Sequence, residues 1–273
     1  MSENKKIHLA FIGAGNMAQA MIAGLLRTGD ETFTLGISSR TRAKCEPLAA
    51  SGVTVFETNA DAARWADMIV LAVKPQQYET VLSDLRNAGI GAGKVFVSIA
   101  AGVSCASVCR QLGAEVPVVR AMPNTPMLMG MGSTAISRNA LVTDDVFAVA
   151  ERIFAASGKT MVLEEDRMNA VIAATGSAPA YLYLIIKAIN DEARREGVDA
   201  PALLENICQM VRGAAEMAEH SPDNLDTLIK KVCSPGGTTE RAMNVLYERG
   251  LPGILAEAMQ ACTDRAEELG RQY

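Results

Sequence analysis

The first half of the chain alternates short, uninterrupted apolar runs with stretches of helical spacing. The runs are IHLAFIG (7–13), TFTLGIS (32–38), VTVF (53–56), MIVLAV (68–73), KVFVSIA (94–100) and VPVVRAM (116–122). Strands that are apolar on both faces and separated by helices are typical of a parallel sheet covered on both sides. The pattern therefore predicts a doubly wound α/β domain, and STAIS (133–137) and KTMVL (159–163), flanking a helix near 144–157, complete its sheet.

A glycine motif follows the first predicted strand. Gly13, Gly15 and Ala18 form G-x-G-x-x-A at the start of a predicted helix. Gly13 allows the tight turn, Gly15 lets the backbone approach a pyrophosphate, and Ala18 allows the helix to pack closely on the strand. Such a motif alone also fits an ordinary turn, but between this strand and this helix it predicts a Rossmann-type dinucleotide-binding domain.

The second predicted strand ends without the acidic residue that usually holds an NAD ribose. The residues there are Ser38, Ser39, Arg40, Thr41 and Arg42. Hydroxyls and guanidinium groups fit a 2′-phosphate through charge-assisted hydrogen bonds. The sequence therefore predicts a preference for NADPH, with NADH as a second donor, although the arginines could also simply solvate a helix start.

Polar residues and prolines also follow later strands. Lys74 and Pro75 follow the fourth strand, and Asn124 and Thr125 lie between two prolines after the sixth. Ligands of doubly wound sheets bind at the carboxyl ends of the strands. These strand ends therefore predict the rim of a nicotinamide site.

The second half of the chain is predicted to be helical. The strand pattern stops near Asp166, and three long segments with apolar residues three and four apart follow. We place the dinucleotide-binding domain at 1–164 and a helical domain at 165–273. The apolar faces of these helices are broader than one small bundle can bury, so we expect a homodimer through this half.

The segment SPGGTT (234–239) lies between two predicted helices of this second half. Successive glycine N–H groups at a helix start form a site of the size of a carboxylate or phosphate. A helix–helix turn capped by threonine explains the same residues equally well.

Composition limits the function classes. A net charge of −5 with both signs interspersed gives no nucleic-acid footprint, and no unbroken apolar run approaches the length of a membrane span. Six scattered cysteines and two histidines give no metal site and indicate reduced thiols in a cytoplasmic protein. His8, in the first strand, and His220, at a helix end, are interpreted as structural and surface residues.

Six motifs together resemble the pyrroline-5-carboxylate reductase family along essentially the whole chain: FIGAGNM, LAVKPQ, SIAAGV, RAMPNTP, TGSAPAY and SPGGTT, in that order. The resemblance implies NAD(P)H-dependent reduction of 1-pyrroline-5-carboxylate to L-proline, the last step of proline biosynthesis. It also implies an interwoven dimer through the helical domain, often assembled into decamers.

The resemblance assigns site residues. It implies that the substrate carboxylate binds the loop and that Thr239 lies beside the ring nitrogen as the catalytic residue; the substrate-binding residues are Val232, Ser234, Gly236, Gly237, Thr238 and Thr239. The expected cofactor-binding residues are Gly13, Gly15, Asn16, Met17, Ser38, Ser39, Arg40, Asn59, Ala72, Val73, Lys74, Pro75, Asn124 and Thr125. The segment between His220 and Ser234 is longer than in relatives, so no acidic residue there is given a role.

Two alternatives remain open from the sequence. One is a hydroxyacid dehydrogenase of the 6-phosphogluconate type, whose helical Lys and Asn could correspond to Lys187 and Asn190. The other is a non-catalytic NADPH-binding protein. The scarcity of acid/base residues favours reduction of an imine over a carbonyl, because an iminium needs no further activation.

Overall fold

The computed structural model describes residues 6–272, and eight strands form one sheet in it. The strands are β1 (Ile7–Ile12), β2 (Phe33–Ser38), β3 (Thr54–Phe56), β4 (Met68–Leu71), β5 (Val95–Ser98), β6 (Val118–Met122), β7 (Gly132–Arg138) and β8 (Gly158–Val162). All eight predicted strands are present, with ends that differ by a residue or two.

The sheet order is β3-β2-β1-β4-β5-β6-β7-β8. The order reverses at β1, which pairs in parallel with both β2 and β4. All neighbours are parallel except β6 and β7. These two are antiparallel because residues 123–131 between them form a short turn, and a parallel return needs a crossover of a dozen or more residues. The doubly wound fold predicted from the sequence is confirmed, with this one reversed pair.

Twelve α-helices accompany the sheet within the described residues. They are α1 (Asn16–Thr28), α2 (Glu46–Ala49), α3 (Asn59–Trp65), α4 (Tyr78–Asn87), α5 (Cys105–Leu112), α6 (Asp144–Ala155), α7 (Met168–Val171), α8 (Ala178–Arg195), α9 (Leu203–His220), α10 (Leu225–Val232), α11 (Thr238–Glu248) and α12 (Leu251–Gln272). A π-helical turn, Ile172–Gly176, lies between α7 and α8.

Both faces of the sheet are buried at its central strands. Along β1, Leu9 and Phe11 belong to one apolar cluster and Ala10 and Ile12 to the other, as the alternation of side chains along a strand requires. All four are 0% exposed. This explains why the strands have no polar side in the sequence.

The chain divides into two compact units. The first is Met1–Pro179 together with Cys262–Tyr273, and the second is Ala180–Ala261. The first unit contains the whole sheet, and the second contains α9, α10, α11 and most of α8. The predicted domain boundary at 164/165 therefore stays a prediction, since the division by contacts lies at a different residue.

The helices of the second unit expose apolar side chains. On α8, Leu182, Tyr183 and Leu184 are at least half exposed, and no residue of that helix is buried. The helical run Glu165–Arg195 also passes a test of length and composition for a membrane-crossing helix, with 17% of its most apolar window buried. A single such helix is weak evidence, because helices of soluble proteins pass the same test.

Candidate active site

A cavity of about 540 Å³ opens where β1, β2 and β4 end, and we call it the carboxyl-edge cavity. Eight predicted cofactor residues line it: Gly13, Gly15, Ser39, Arg40, Asn59, Ala72, Val73 and Lys74. The order of the sheet reverses at β1, and such switch points are where doubly wound sheets bind nucleotides. The volume lies within the usual range for small-molecule sites.

Gly13 is required by the protein's own packing. Its φ of +106° lies in a region that favours glycine, and a Cβ there would lie 2.5 Å from the carbonyl oxygen of Ala72. Its N–H donates to the carbonyl of Ser38 at 2.8 Å. Gly13 therefore lets the β1–α1 turn lie directly against the ends of β2 and β4.

Gly15 has a different role. Its φ is −73°, which any residue adopts, and the nearest atom to an added Cβ is the Ala72 carbonyl oxygen at 3.9 Å. The fold itself therefore does not need a glycine there. Gly15 is the N-cap of α1, where no side chain caps the helix and no acidic residue occupies the first turn. Its bare backbone and the unpaired N–H groups of the helix fit a pyrophosphate.

Ser38 and Asn59 act as a pair. Ser38 is 1% exposed, and its hydroxyl donates to Oδ1 of Asn59 at 2.8 Å. This bond fixes the amide of Asn59, the first residue of α3, so that its two N–H donors remain for the cavity. Ser38 itself does not line the cavity; it positions Asn59, which does.

The cations at the end of β2 divide into two groups. Arg40 and Lys44 line the cavity with Ser39 and Thr41. Arg42 instead forms an ion pair with Glu57, and the hydrogen bond between them raises the pKa of Arg42 and lowers the pKa of Glu57. Arg42 therefore does not supply the second cation at the cavity; Lys44 does.

The ends of β4 and β5 are held together by a buried tyrosine. The Tyr78 hydroxyl donates to the carbonyl of Leu71 at 2.9 Å and lies 3.0 Å from Oγ of Ser98. Burial raises the pKa of Tyr78 well above its usual value. This side chain stays neutral and fixes the strand end that carries Ala72, Val73 and Lys74.

Asn124 serves the structure of the β6 end. It is 8% exposed, its Nδ2 donates to the carbonyl of Thr175 at 3.1 Å, and its Oδ1 accepts from the N–H of Ser133 at 2.9 Å. Its amide thus joins the β6–β7 turn to the π-helical turn, while Thr125 beside it is exposed. Neither residue lines the carboxyl-edge cavity, and the same holds for the predicted residues Asn16, Met17, Ser38 and Pro75.

A buried ionic cluster behind β6 is structural. Arg120, 5% exposed, donates to Asn169 at 2.6 Å and lies 3.6 Å from Glu165. Glu165 also accepts the backbone N–H of Cys105 at 2.7 Å. Burial raises the pKa of the Cys105 thiol, so this cysteine is an inert thiol and not a nucleophile.

The SPGGTT segment connects α10 to α11 in the second unit. Gly236 has a φ of +70° and open space at its Cβ position, and Gly237 is the N-cap of α11. The N–H of Gly237 donates to the Ser234 carbonyl at 2.9 Å, and the N–H of Gly236 donates to Oε2 of Glu240 at 2.8 Å. No side chain caps α11, so threonine capping does not explain this loop. A cleft of about 290 Å³ beside it is lined by Cys233, Glu240 and Tyr247, among others.

Neither the two histidines nor Lys187, the lysine of the dehydrogenase alternative, lines the carboxyl-edge cavity or the cleft beside the SPGGTT loop. His8 stacks on Trp65 with ring centroids 4.3 Å apart, and His220 is an exposed residue beside Glu216. Lys187 pairs with Asp191 one helical turn away on α8. Within residues 6–272, no group of three His, Cys, Asp or Glu could hold a metal ion.

Comparison with known proteins identifies the family. The chain is 38% identical to pyrroline-5-carboxylate reductase of Vibrio alginolyticus, over 99% of this chain and 100% of the relative. The chain belongs to the pyrroline-5-carboxylate reductase family. Residues 165–269 match the family model described as pyrroline-5-carboxylate reductase dimerisation, and residues 8–102 match that of NADP oxidoreductase, coenzyme F420-dependent.

Solved structures of the pyrroline-5-carboxylate reductase family agree with the fold. The enzyme of Coxiella burnetii superimposes with a TM-score of 0.87 at 33% identity, covering 97% of this chain and 99% of that one. The Plasmodium falciparum enzyme, solved with NADP bound, gives 0.86 at 26% identity, covering 97% and 98%. Family membership excludes the 6-phosphogluconate-type alternative, and Lys187 is accounted for as a surface ion pair.

Sequence reasoning missed part of the cavity lining in this family member. The missed residues include Lys44, Gln76, Gln77, Thr80 and Asp84. A signal was present for most of them, because Gln76, Gln77 and Thr80 follow β4 at helical spacing. Lys44 lies four residues beyond Arg40, in the turn Arg42–Lys44.

Proposed function

We propose that this protein reduces 1-pyrroline-5-carboxylate to L-proline by hydride transfer from NADPH, with NADH as a second donor, as the last step of proline biosynthesis. The observation that carries this proposal is the relationship to curated pyrroline-5-carboxylate reductases over the full length of the chain, at 38% identity. The carboxyl-edge cavity, with the cations Arg40, Lys44 and Lys74 and a bare helix start, supports it.

The cofactor half of the site fits NADPH. The pyrophosphate is held by the backbone at Gly15 and the start of α1, and the adenosine ribose by Asn59. The 2′-phosphate lies between Arg40 and Lys44, with Ser39 and Thr41 as hydroxyl donors. NADPH supplies the hydride, and the residues after β4, Ala72 to Lys74, hold the nicotinamide end. The related Plasmodium falciparum enzyme, solved with NADP bound, supports the choice of cofactor.

The substrate half of the site is the SPGGTT loop. We assign the substrate carboxylate to its backbone amides and the ring nitrogen to the hydroxyl of Thr239, by the family resemblance. The first N–H groups of α11 have no partner inside the helix and carry its positive end, which suits an anion. An iminium is already a strong electrophile, so these residues need only orient it against the nicotinamide. Val232 and Ser234, both exposed at the loop, complete the pocket.

The protein homo-oligomerises through its C-terminal helices. The match of residues 165–269 to the dimerisation family and the exposed apolar side chains of α8 support this statement. We further propose domains at 1–164 and 165–273, decamers built from dimers, and a cytoplasmic location. Mass photometry distinguishes dimers from decamers directly.

The test is a turnover assay on the purified protein. NADPH and pyrroline-5-carboxylate are mixed with it, and absorbance at 340 nm and the formation of L-proline are followed together. We expect turnover with both cofactors and a higher kcat/KM with NADPH. NADPH binding without turnover would reject the proposal in favour of a non-catalytic NADPH-binding protein. Lys187→Ala, a surface change on α8, is the matched control and should leave the rate unchanged.

A further inference from the structure

The loop that is assigned to the substrate carboxylate already contacts one carboxylate of the protein itself. Glu240, the third residue of α11, turns back past the N-cap, and its Oε2 accepts the N–H of Gly236 at 2.8 Å. The other glycine N–H, that of Gly237, is used by the Ser234 carbonyl. Of these two amides, only that of Gly236 is bonded to a side chain, which can move away and leave the amide to a ligand.

The position of Glu240 beside the Gly236 N–H is electrostatically favourable. A carboxylate in the first turn of a helix is stabilised by the helix dipole. Glu240 is the one acidic residue in the first turn of α11, and among the described residues it forms no ion pair with a lysine or arginine. Lys230 lines the same cleft as Glu240 but is not within ion-pair distance of it, and Lys231 is paired with Asp223. Within the described part of the chain, no ion pair therefore neutralises the charge of Glu240 when a second carboxylate approaches.

We propose that Glu240 lowers the affinity of the SPGGTT loop for the substrate, because its carboxylate competes with the substrate carboxylate for the loop. A bound carboxylate must either displace Oε2 from the Gly236 N–H or bind beside its charge. Either event weakens the binding of the substrate, and of any other small carboxylate, relative to a loop without this residue. This inference rests on the proposed function, in which the loop binds the substrate carboxylate.

The effect belongs to binding and not to hydride transfer. Like charges about 4 Å apart in water repel each other by an amount that corresponds to about a fivefold change in affinity. Removing the charge of Glu240 should therefore lower KM by about that factor and leave kcat within twofold. High salt should reduce the difference, because it screens exposed charges.

Glu240→Gln is the sharpest variant, because glutamine retains an oxygen that accepts the Gly236 N–H and loses only the charge. Glu248→Gln is the matched control, since it makes the same charge change at the far end of α11. We expect KM for pyrroline-5-carboxylate to fall about fivefold in Glu240→Gln and to stay unchanged in Glu248→Gln. An unchanged or higher KM in Glu240→Gln would overturn the inference.

A binding measurement separates this inference from the proposed function. Cyclopentanecarboxylate, which has a carboxylate but no reducible bond, is titrated while the Gly236 amide is followed by NMR. The inference predicts a dissociation constant about fivefold lower in Glu240→Gln than in the wild type. If no variant turns over pyrroline-5-carboxylate, the proposed function fails, and the titration still decides the role of Glu240. Equal dissociation constants, or no binding to either protein, would refute that role.

Discussion

The choice between NADPH and NADH depends on which cations at the end of β2 face the cofactor. Arg40 and Lys44 line the carboxyl-edge cavity, whereas Arg42 is held by Glu57 outside it. We therefore expect Arg40→Gln and Lys44→Gln each to weaken NADPH binding and Arg42→Gln to leave it unchanged. The three variants make the same charge change within five residues of sequence, so a general loss of positive charge affects them equally.

The expected loss of NADPH affinity follows from the hydrogen bond between each cation and the 2′-phosphate. A hydrogen bond to a charged group contributes about 1.5–3 kcal/mol when it is protected from water, and less in an open site. For this open cavity we take about 1 kcal/mol for each cation, which is roughly a fivefold rise in the KM for NADPH. NADH lacks the 2′-phosphate, so its KM should change less than twofold.

Steady-state kinetics at 340 nm with varied NADPH or NADH, at saturating substrate, measures these constants. The reasoning predicts a drop in the NADPH-to-NADH preference for Arg40→Gln and Lys44→Gln alone. An equal rise in KM for both cofactors in these variants, or an effect of Arg42→Gln as large as that of Arg40→Gln, would refute it.

Three further predictions concern single residues. Gly13→Ala should lower the free energy of unfolding by about 1–3 kcal/mol, because a strained φ is imposed and the Cβ meets the Ala72 carbonyl. Gly15→Ala should unfold like the wild type in urea but bind NADPH more weakly. Equal free energies of unfolding for the two variants would contradict this. Burial tends to raise the pKa of Asp30, but hydrogen bonds from Thr32 and Arg152 lower it overall, so its stabilising effect is present above about pH 4 and is lost as pH falls through the folded pKa. Asp30→Asn should therefore cost up to about 1 kcal/mol at pH 7 and lose less stability than the wild type between pH 5 and pH 2, as urea titrations at each pH can check. Thr239→Ala should lower kcat/KM about 10- to 100-fold, the value of one hydrogen bond to a charged ring nitrogen, with unchanged NADPH binding; a wild-type rate would remove Thr239 from the mechanism.

The fold was predictable because its signals are local. Most of the apolar runs that became strands are separated by segments of helical spacing, and the glycine motif marks the point where β1 turns into α1. The reversed direction of β7 was not predicted, although the short segment 123–131 requires it. The prolines of this segment predicted a ligand rim, whereas its length, which determines the direction of β7, carried no prediction.

The site was predictable only in part, because the direction of a side chain depends on neighbours that are distant in sequence. Arg40 and Arg42 look alike in the sequence, and only the position of Glu57 at the end of β3 shows that Arg42 is engaged. Asn124 was expected at the cofactor, yet its amide donates to the Thr175 carbonyl and accepts from the Ser133 N–H, and it does not line the cavity. Polar residues at strand ends thus indicate the correct edge of the sheet without showing which of them a ligand meets.

The central claim is that backbone amides at the start of α11 hold the substrate carboxylate so that the C=N carbon faces the nicotinamide. A crystal structure of the assembled protein with NADP⁺ and L-proline tests it most directly. We expect the proline carboxylate to accept hydrogen bonds from the amides of residues 236–239, with Glu240 released from Gly236 and the proline ring nitrogen beside Thr239. Proline bound elsewhere, or residues 234–239 directed away from the nicotinamide, would contradict the account.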